Sequence, residues 1–213
     1  MDVVIAGGHG KIALRLARLL SERGDRVRAL IRNPDHAADV EAAGAEPVVC
    51  DMEREDDLGP FVDGADAAVF AAGAGPGSGP ERKRTVDLGA AVKLIEACQD
   101  RGVRRYAIVS SIGAHDPKRG PEQMRPYLEA KADADRALMA SDLDWTVVRP
   151  GALTDDEGSG RVTATTDMSV RGPVPRDDVA ATLAAVLADG ETVGKAFVLV
   201  SGETEIAEAL RAL

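Results

Sequence analysis

The residues of this sequence best suited to move a proton are two serines and a tyrosine–lysine pair. Tyr127 and Lys131 stand at i and i+4 in the run Tyr127-Leu128-Glu129-Ala130-Lys131, a spacing that puts both side chains on one helix face. An ammonium so placed favours the ionised phenol. The pair can then act as a general acid–base centre, with the hydroxyl of Ser111, or of its neighbour Ser110, orienting a substrate carbonyl. Chance also produces surface Tyr–Lys pairs at helical spacing, so position decides. Val109-Ser110-Ser111 closes an apolar, strand-like run just before the helical stretch. His115, in the intervening loop, is a spare acid–base candidate because free imidazole titrates near neutrality; the alternative is a solvated loop histidine.

A second set of residues could hold a dinucleotide. Val3 to Ala6 is an apolar run that passes directly into Gly7-Gly8-His9-Gly10-Lys11-Ile12-Ala13, where Gly8, Gly10 and Ala13 fit G-x-G-x-x-A. Glycine permits positive φ, its missing Cβ admits a pyrophosphate, and Ala13 lets a helix pack closely. The helix N-terminus then meets the phosphate with free N–H groups. A tight β–α turn without ligand is the plain alternative, but the placement on the first strand favours a cofactor cradle built from Gly7, Gly8, His9, Gly10, Lys11 and Ile12.

After the second strand-like run, where an NAD-specific protein carries a carboxylate for the ribose hydroxyls, this chain has Ile31-Arg32-Asn33-Pro34. A guanidinium there suits a 2'-phosphate, so NADPH is expected over NADH, with Arg32 and Asn33 in contact. Arg28 lies on the same strand with its direction open. Asp51, followed by Met52, either accepts from the adenine amino group or caps the next helix. Ala71, Ala72 and Gly73 form a small-residue lining for the adenine ribose, or simply pack tightly. Lys131 can also hold the nicotinamide ribose.

The elements that must position these residues alternate. Strand candidates are Val3–Ala6, Val27–Ile31, Pro47–Cys50, Ala67–Ala71, Tyr106–Val109, Trp145–Arg149 and Ala196–Val200. Between them fall helical patterns at Lys11–Arg23, His36–Ala43, Glu81–Arg101, Pro126–Ser141, Arg176–Asp189 and Glu203–Leu213. Short apolar strands alternating with helices predict an α/β, doubly wound Rossmann-type sheet of about seven parallel strands, helices on both faces, and a ligand crevice at the strands' carboxyl ends. The 213 residues suit one domain, 1–213, with 150–175 as a small irregular excursion, carrying short strands, on the substrate side.

Composition narrows the partners. With 26 Lys and Arg against 36 Asp and Glu, a net charge of -10 and 3% aromatic residues, nucleic acid is not expected. Neither a signal sequence nor a bilayer-length apolar stretch is evident, so a cytoplasmic protein is expected. Cys50 and Cys98 lack metal-ligand spacing and read as buried thiols; no metal site is expected. The partner is a small-molecule substrate, and monomer and homodimer remain open.

These residues resemble the short-chain dehydrogenase/reductases, and more closely their atypical, single-domain NAD(P)H-binding branch, over nearly the whole chain. The marks are the glycine turn, Arg32-Asn33-Pro34, Val109-Ser110-Ser111, Tyr127 with Lys131, and Leu143-Asp144-Trp145-Thr146-Val147-Val148-Arg149-Pro150-Gly151. In that branch the strand ending in Arg-Pro-Gly delivers backbone past the nicotinamide, which implies cofactor roles for Pro150, Gly151, Ala152 and Leu153, with Arg149 anchoring the strand end. The resemblance places the catalytic set on Tyr127, Lys131 and Ser111, with Ser110 the competing serine. The interval from Ser111 to Tyr127 is longer than in typical members, because Gly113–Gln123 forms an extended loop. The implied function is an NADPH-dependent oxidoreductase acting on a small carbonyl or conjugated acceptor, as similarity to small flavin and biliverdin reductases suggests. A sugar-nucleotide substrate is disfavoured, since the extended members that take one carry a larger C-terminal region. The alternatives are a non-catalytic NAD(P)H sensor, in which Tyr127 is dispensable, and an epimerase- or dehydratase-like isomerase without net cofactor consumption.

Overall fold

A computed structural model describes residues 1–75 and 77–213; Pro76, inside the glycine-rich loop Gly73–Pro80, lies outside the described residues. The first half runs β1 (Asp2–Ala6), α1 (Lys11–Glu22), β2 (Arg26–Ile31), α2 (Ala37–Ala42), β3 (Glu46–Val49), α3 (Gly59–Val62) and β4 (Ala67–Phe70). A long helical segment follows in three pieces, α4 (Pro80–Arg82), a π-helix (Lys83–Ala90) and α5 (Ala91–Arg101). The rest is β5 (Arg105–Val109), α6 (Arg125–Met139), β6 (Asp144–Pro150), β7 (Ala152–Thr154), β8 (Arg161–Thr165), β9 (Pro173–Pro175), α7 (Arg176–Ala188), β10 (Lys195–Ser201), β11 (Thr204–Glu205) and α8 (Ile206–Arg211).

The strand order β11-β8-β10-β6-β5-β4-β1-β2-β3 makes one sheet in which all seven expected strands run parallel. The chain leaves β1 first toward β3 and later, from β4, toward the other edge. A crevice therefore opens beyond the carboxyl ends of β1 and β4, where the winding reverses.

Alternation along each strand feeds two cores. Val3, Ile5, Ala29 and Val69 face α1 and α7, while Val4, Ala6, Leu30 and Phe70 face α5. Both sets are buried, which is why these strands are apolar at nearly every position.

Among the described residues the sheet has nine strands rather than about seven. Arg161–Thr165, inside the expected irregular excursion, forms β8 and pairs antiparallel with β10. Its hydrogen bonds cover a sheet edge that would otherwise present unpaired backbone. The helix expected from Glu203 instead starts at Ile206, because Thr204 and Glu205 pair with β8. The remaining short strands, β7 and β9, pair with each other as a separate two-stranded sheet.

Both cysteines are free and buried. Burial pushes the Cys50 thiol up to about 12, helped by Glu55 and Asp51, and burial alone does the same at Cys98. Since the thiolate is the reactive form, native protein at pH 7.5 is expected to release almost no thionitrobenzoate from Ellman's reagent over minutes. Urea-unfolded protein should release two equivalents, one per cysteine. Rapid labelling of the native chain would contradict the packing around these residues. Among the described residues, no helix is long and apolar enough to cross a membrane.

Candidate active site

The glycine turn sits at the crevice because β1 ends there and α1 begins there. Only Gly7 of its three glycines has positive φ, at 81°, and a Cβ on it would lie 2.6 Å from Ala72 Cα. Gly8 serves a different need: its N–H donates to Leu30 O at 2.9 Å, and a Cβ would meet the Ala29 methyl at 2.6 Å. Gly10 caps α1 with no side-chain hydrogen bond, leaving the first-turn N–H groups without a side-chain partner.

Above the turn lies a cleft of about 380 Å³. Gly7, His9, Gly10, Arg32, Asn33, Asp51, Met52, Ala71, Ala72 and Gly73 line it together. Ten of the residues singled out in the sequence thus converge from the ends of β1, β2, β3 and β4. The cleft fits a dinucleotide by its chemistry: backbone stripped of Cβ atoms, an uncapped helix N-terminus and a guanidinium on one wall.

The wall around Arg32 holds groups that sequence reasoning missed. Glu53, from the loop after β3, lies 3.5 Å from Arg32 Nη1 and 3.1 Å from Arg82 Nη2, and accepts from the Thr85 hydroxyl at 2.7 Å. A carboxylate does reach this wall, though not from the strand end where the pattern places one. His36 stacks on His9 with ring centroids 3.6 Å apart, and His9 Nε2 is 2.8 Å from Asp39 Oδ2. Arg28 points elsewhere: it pairs with Asp2 at 2.8 Å and donates to Phe61 O and Asp63 O, away from the cleft. Asp51 caps no helix; its Oδ1 accepts from the Glu53 N–H at 3.2 Å and closes a turn.

The remaining cofactor candidates lie outside this lining. Lys11 is 2.5 Å from Asp155 in an exposed ion pair, and Ile12 is buried in the α1 core. Pro150 O accepts from the Ile112 N–H, while the N–H groups of Gly151 and Ala152 donate to Leu199 O and Gly172 O. Gly151 tolerates no Cβ, which would fall 1.9 Å from Gly172 O; Leu153 is partly exposed on β7.

The reaction candidates occupy the end of β5 and the facing side of α6. Ser110 is buried, and its hydroxyl donates to Asp135 at 2.9 Å. Arg149 donates to the same carboxylate oxygen at 3.0 Å, so the Arg-Pro-Gly arginine anchors its strand end internally. Burial pushes the Asp135 carboxyl above its ordinary value, opposed first by Arg149 and then by Ser110. Ser111 is partly exposed, and among the described residues its hydroxyl reaches only the adjacent Ile112 O, at 3.2 Å.

Lys131 is buried beneath this site. It donates to Val109 O at 3.1 Å and Ala72 O at 3.3 Å, and its ammonium is 3.3 Å from Asp87 Oδ1. Asp87, also fully buried, belongs to the π-helix and accepts from the Ala74 N–H at 3.2 Å. The sequence over Glu81–Arg101 reads as ordinary α-helix; the wider π turn, rare and frequent at functional sites, is a tertiary choice. Tyr127 is half-buried, with Lys131 Nζ 6.0 Å from its ring centre and Lys83 Nζ 5.3 Å away.

Fold and cleft together define a Rossmann-type dinucleotide-binding protein. The family model for NAD(P)H-binding proteins matches residues 7–190, and the chain belongs to that family. It is 40% identical to YhfK of Bacillus subtilis, an uncharacterized sugar epimerase, over the full length of both. A Bacillus halodurans protein provisionally described as an NAD-dependent epimerase/dehydratase superposes with TM-score 0.94 at 37% identity, each chain fully covered. The oxidoreductase ylbE of Lactococcus lactis gives TM-score 0.88 at 29% identity, covering 100% of this chain and 96% of that one.

Proposed function

We propose that this chain is an NADPH-dependent oxidoreductase that reduces a small carbonyl or conjugated acceptor. The observation that carries the cofactor choice is the wall where β2 ends, at which Arg32 and Arg82 converge on one acidic side chain. Bound there, the nicotinamide dinucleotide supplies the hydride. Gly7, Gly8 and Gly10 admit its pyrophosphate, and Arg32 and Asn33 face the adenosine 2' position. Tyr127 donates the proton to the acceptor oxygen, and the Ser111 hydroxyl orients that oxygen. Lys131, which donates to Val109 O and Ala72 O and is ion-paired with Asp87, acts on Tyr127 through its charge.

Calorimetric titration of cofactor-stripped protein tests the cofactor assignment. Arg32→Ala is expected to weaken NADPH binding by about 10- to 100-fold, the worth of a charge-assisted contact, with a much smaller effect on NADH. Glu53→Gln should act in the opposite sense, because a carboxylate competing with the 2'-phosphate for Arg32 is gone. Equal NADPH and NADH affinities in the wild type would remove the NADPH assignment, and no binding of either would remove the whole reading.

A second reading, an epimerase using the cofactor transiently, is favoured by the epimerase names of two full-length relatives. It predicts a sugar substrate turned over with no net change in absorbance at the reduced-nicotinamide band, whereas the oxidoreductase consumes one NADPH per acceptor.

A further inference from the structure

Beside the candidate reaction residues lies a second cavity, of about 530 Å³, between the loop after β5 and the segment joining β8 to β9. Ile112 and Leu128, which line it, directly follow Ser111 and Tyr127 in the chain, which sets the cavity next to the reaction residues; Ser111 and Tyr127 themselves are not part of its lining. Met168 completes an apolar side.

The charged groups around it are not equally satisfied. Arg119 Nε is 3.2 Å from Asp116. Asp167 Oδ1 accepts the Ser169 N–H at 2.8 Å and the Ser169 hydroxyl at 2.7 Å. Arg149, behind Met168, is paired with Asp135. Arg171 differs from these: among the described residues no carboxylate lies within ion-pair distance of it. Its Nη1 donates to Met168 O at 2.6 Å and Val170 O at 2.8 Å, which ties the guanidinium to its own loop; among the described residues Nε and Nη2 of this exposed side chain have no protein acceptor. A guanidinium held on one side and open on the other is arranged to take a carboxylate bidentately. His115 faces the same space. Burial, then Arg149 and Arg171, with a smaller push from Arg119, hold its imidazole below the ordinary value against the opposing Asp116. The lining holds Arg119 and Arg171 against Asp116 and Asp167, so its formal charges balance.

We propose that this cavity is the acceptor pocket and that it selects small organic carboxylates with an apolar body and a reducible carbonyl, Arg171 anchoring the carboxylate and His115 adding a hydrogen bond. The proposal rests on the oxidoreductase reading above. In the reaction the acceptor's carbonyl carbon takes the hydride of NADPH and its oxygen takes the Tyr127 proton, so NADP⁺ and a hydroxy acid leave and solvent reprotonates Tyr127.

The test compares 4-formylbenzoate with its neutral methyl ester as acceptors. Wild type is expected to favour the acid in kcat/KM by about 10- to 100-fold, the range of a charge-assisted pair, and Arg171→Ala should bring that ratio to about one through KM. Separately, benzoate, which cannot be reduced, should move the His115 ring resonances in NADP⁺-saturated wild type but not in Arg171→Ala, and equimolar inorganic phosphate should move them far less. An acid-to-ester ratio near one in wild type, or one that survives Arg171→Ala, overturns the pocket while leaving the oxidoreductase reading intact. Phosphate as effective as benzoate overturns selection for carboxylates. If neither aldehyde is reduced yet benzoate binds through Arg171, the carboxylate site stands and the oxidoreductase reading fails.

Discussion

Tyr127→Phe is expected to cut turnover of a carbonyl acceptor by about 100- to 10,000-fold, the usual contribution of a positioned general acid, with NADPH affinity changed by less than about threefold. The ring stays the same size, so packing against the π-helix survives. What disappears is a phenol hydroxyl that has no protein hydrogen-bond partner among the described residues and so is available to an acceptor. Two ammonium groups flank that ring, Lys131 from its own helix and Lys83 from the π-helix. Stopped-flow reduction with saturating NADPH, beside calorimetry on the same sample, separates chemistry from binding. Turnover retained within about fivefold would take Tyr127 out of the reaction and favour a sensor, since a lost proton donor costs far more than that.

The second large effect concerns Asp87. Asp87→Ala leaves the Lys131 ammonium in a site where both partners are nearly inaccessible, with side-chain exposures of 3% and 1%. Removing one member of a buried ion pair costs about 3–5 kcal/mol, because the other charge remains desolvated. The urea midpoint is expected to fall accordingly. Lys131→Met combined with Asp87→Ala should recover a large part of the loss, since the stranded charge is then gone. A double-mutant cycle reads the coupling directly. Additive losses would mean that the pair is held by its backbone partners, Val109 O, Ala72 O and the Ala74 N–H, more than by its own attraction.

Much of the architecture was legible because it follows from local periodicity. Short runs such as Val3–Ala6 and Tyr106–Val109 are apolar at every position, which only a strand covered on both faces requires, and each lies where the structure has one. The exceptions are pieces whose state depends on a distant neighbour. Arg161–Thr165 is a strand because the β10 edge needs a partner, and Thr204–Glu205 is drawn out of the last helix for the same reason. Lys83–Ala90 has the composition of an α-helix and becomes a π-helix where Asp87 meets Lys131.

The candidate site divides along the same line. By itself the sequence determined the glycine turn, the arginine at the end of β2, the small residues after β4 and the Tyr127–Lys131 spacing, because each is a motif written within a few consecutive residues on one element. Only the tertiary structure decided which of two adjacent serines is free, since Ser110 is taken by Asp135 from a helix and Ser111 is not. It also decided that Lys131 is buried against Asp87, that Arg28 turns to Asp2 rather than to the cleft, and that Glu53 and Arg82 share a wall with Arg32. In each case the partner lies tens of residues away, and a side chain's direction and company are set by packing and charge compensation across the fold, which spacing along the chain does not encode.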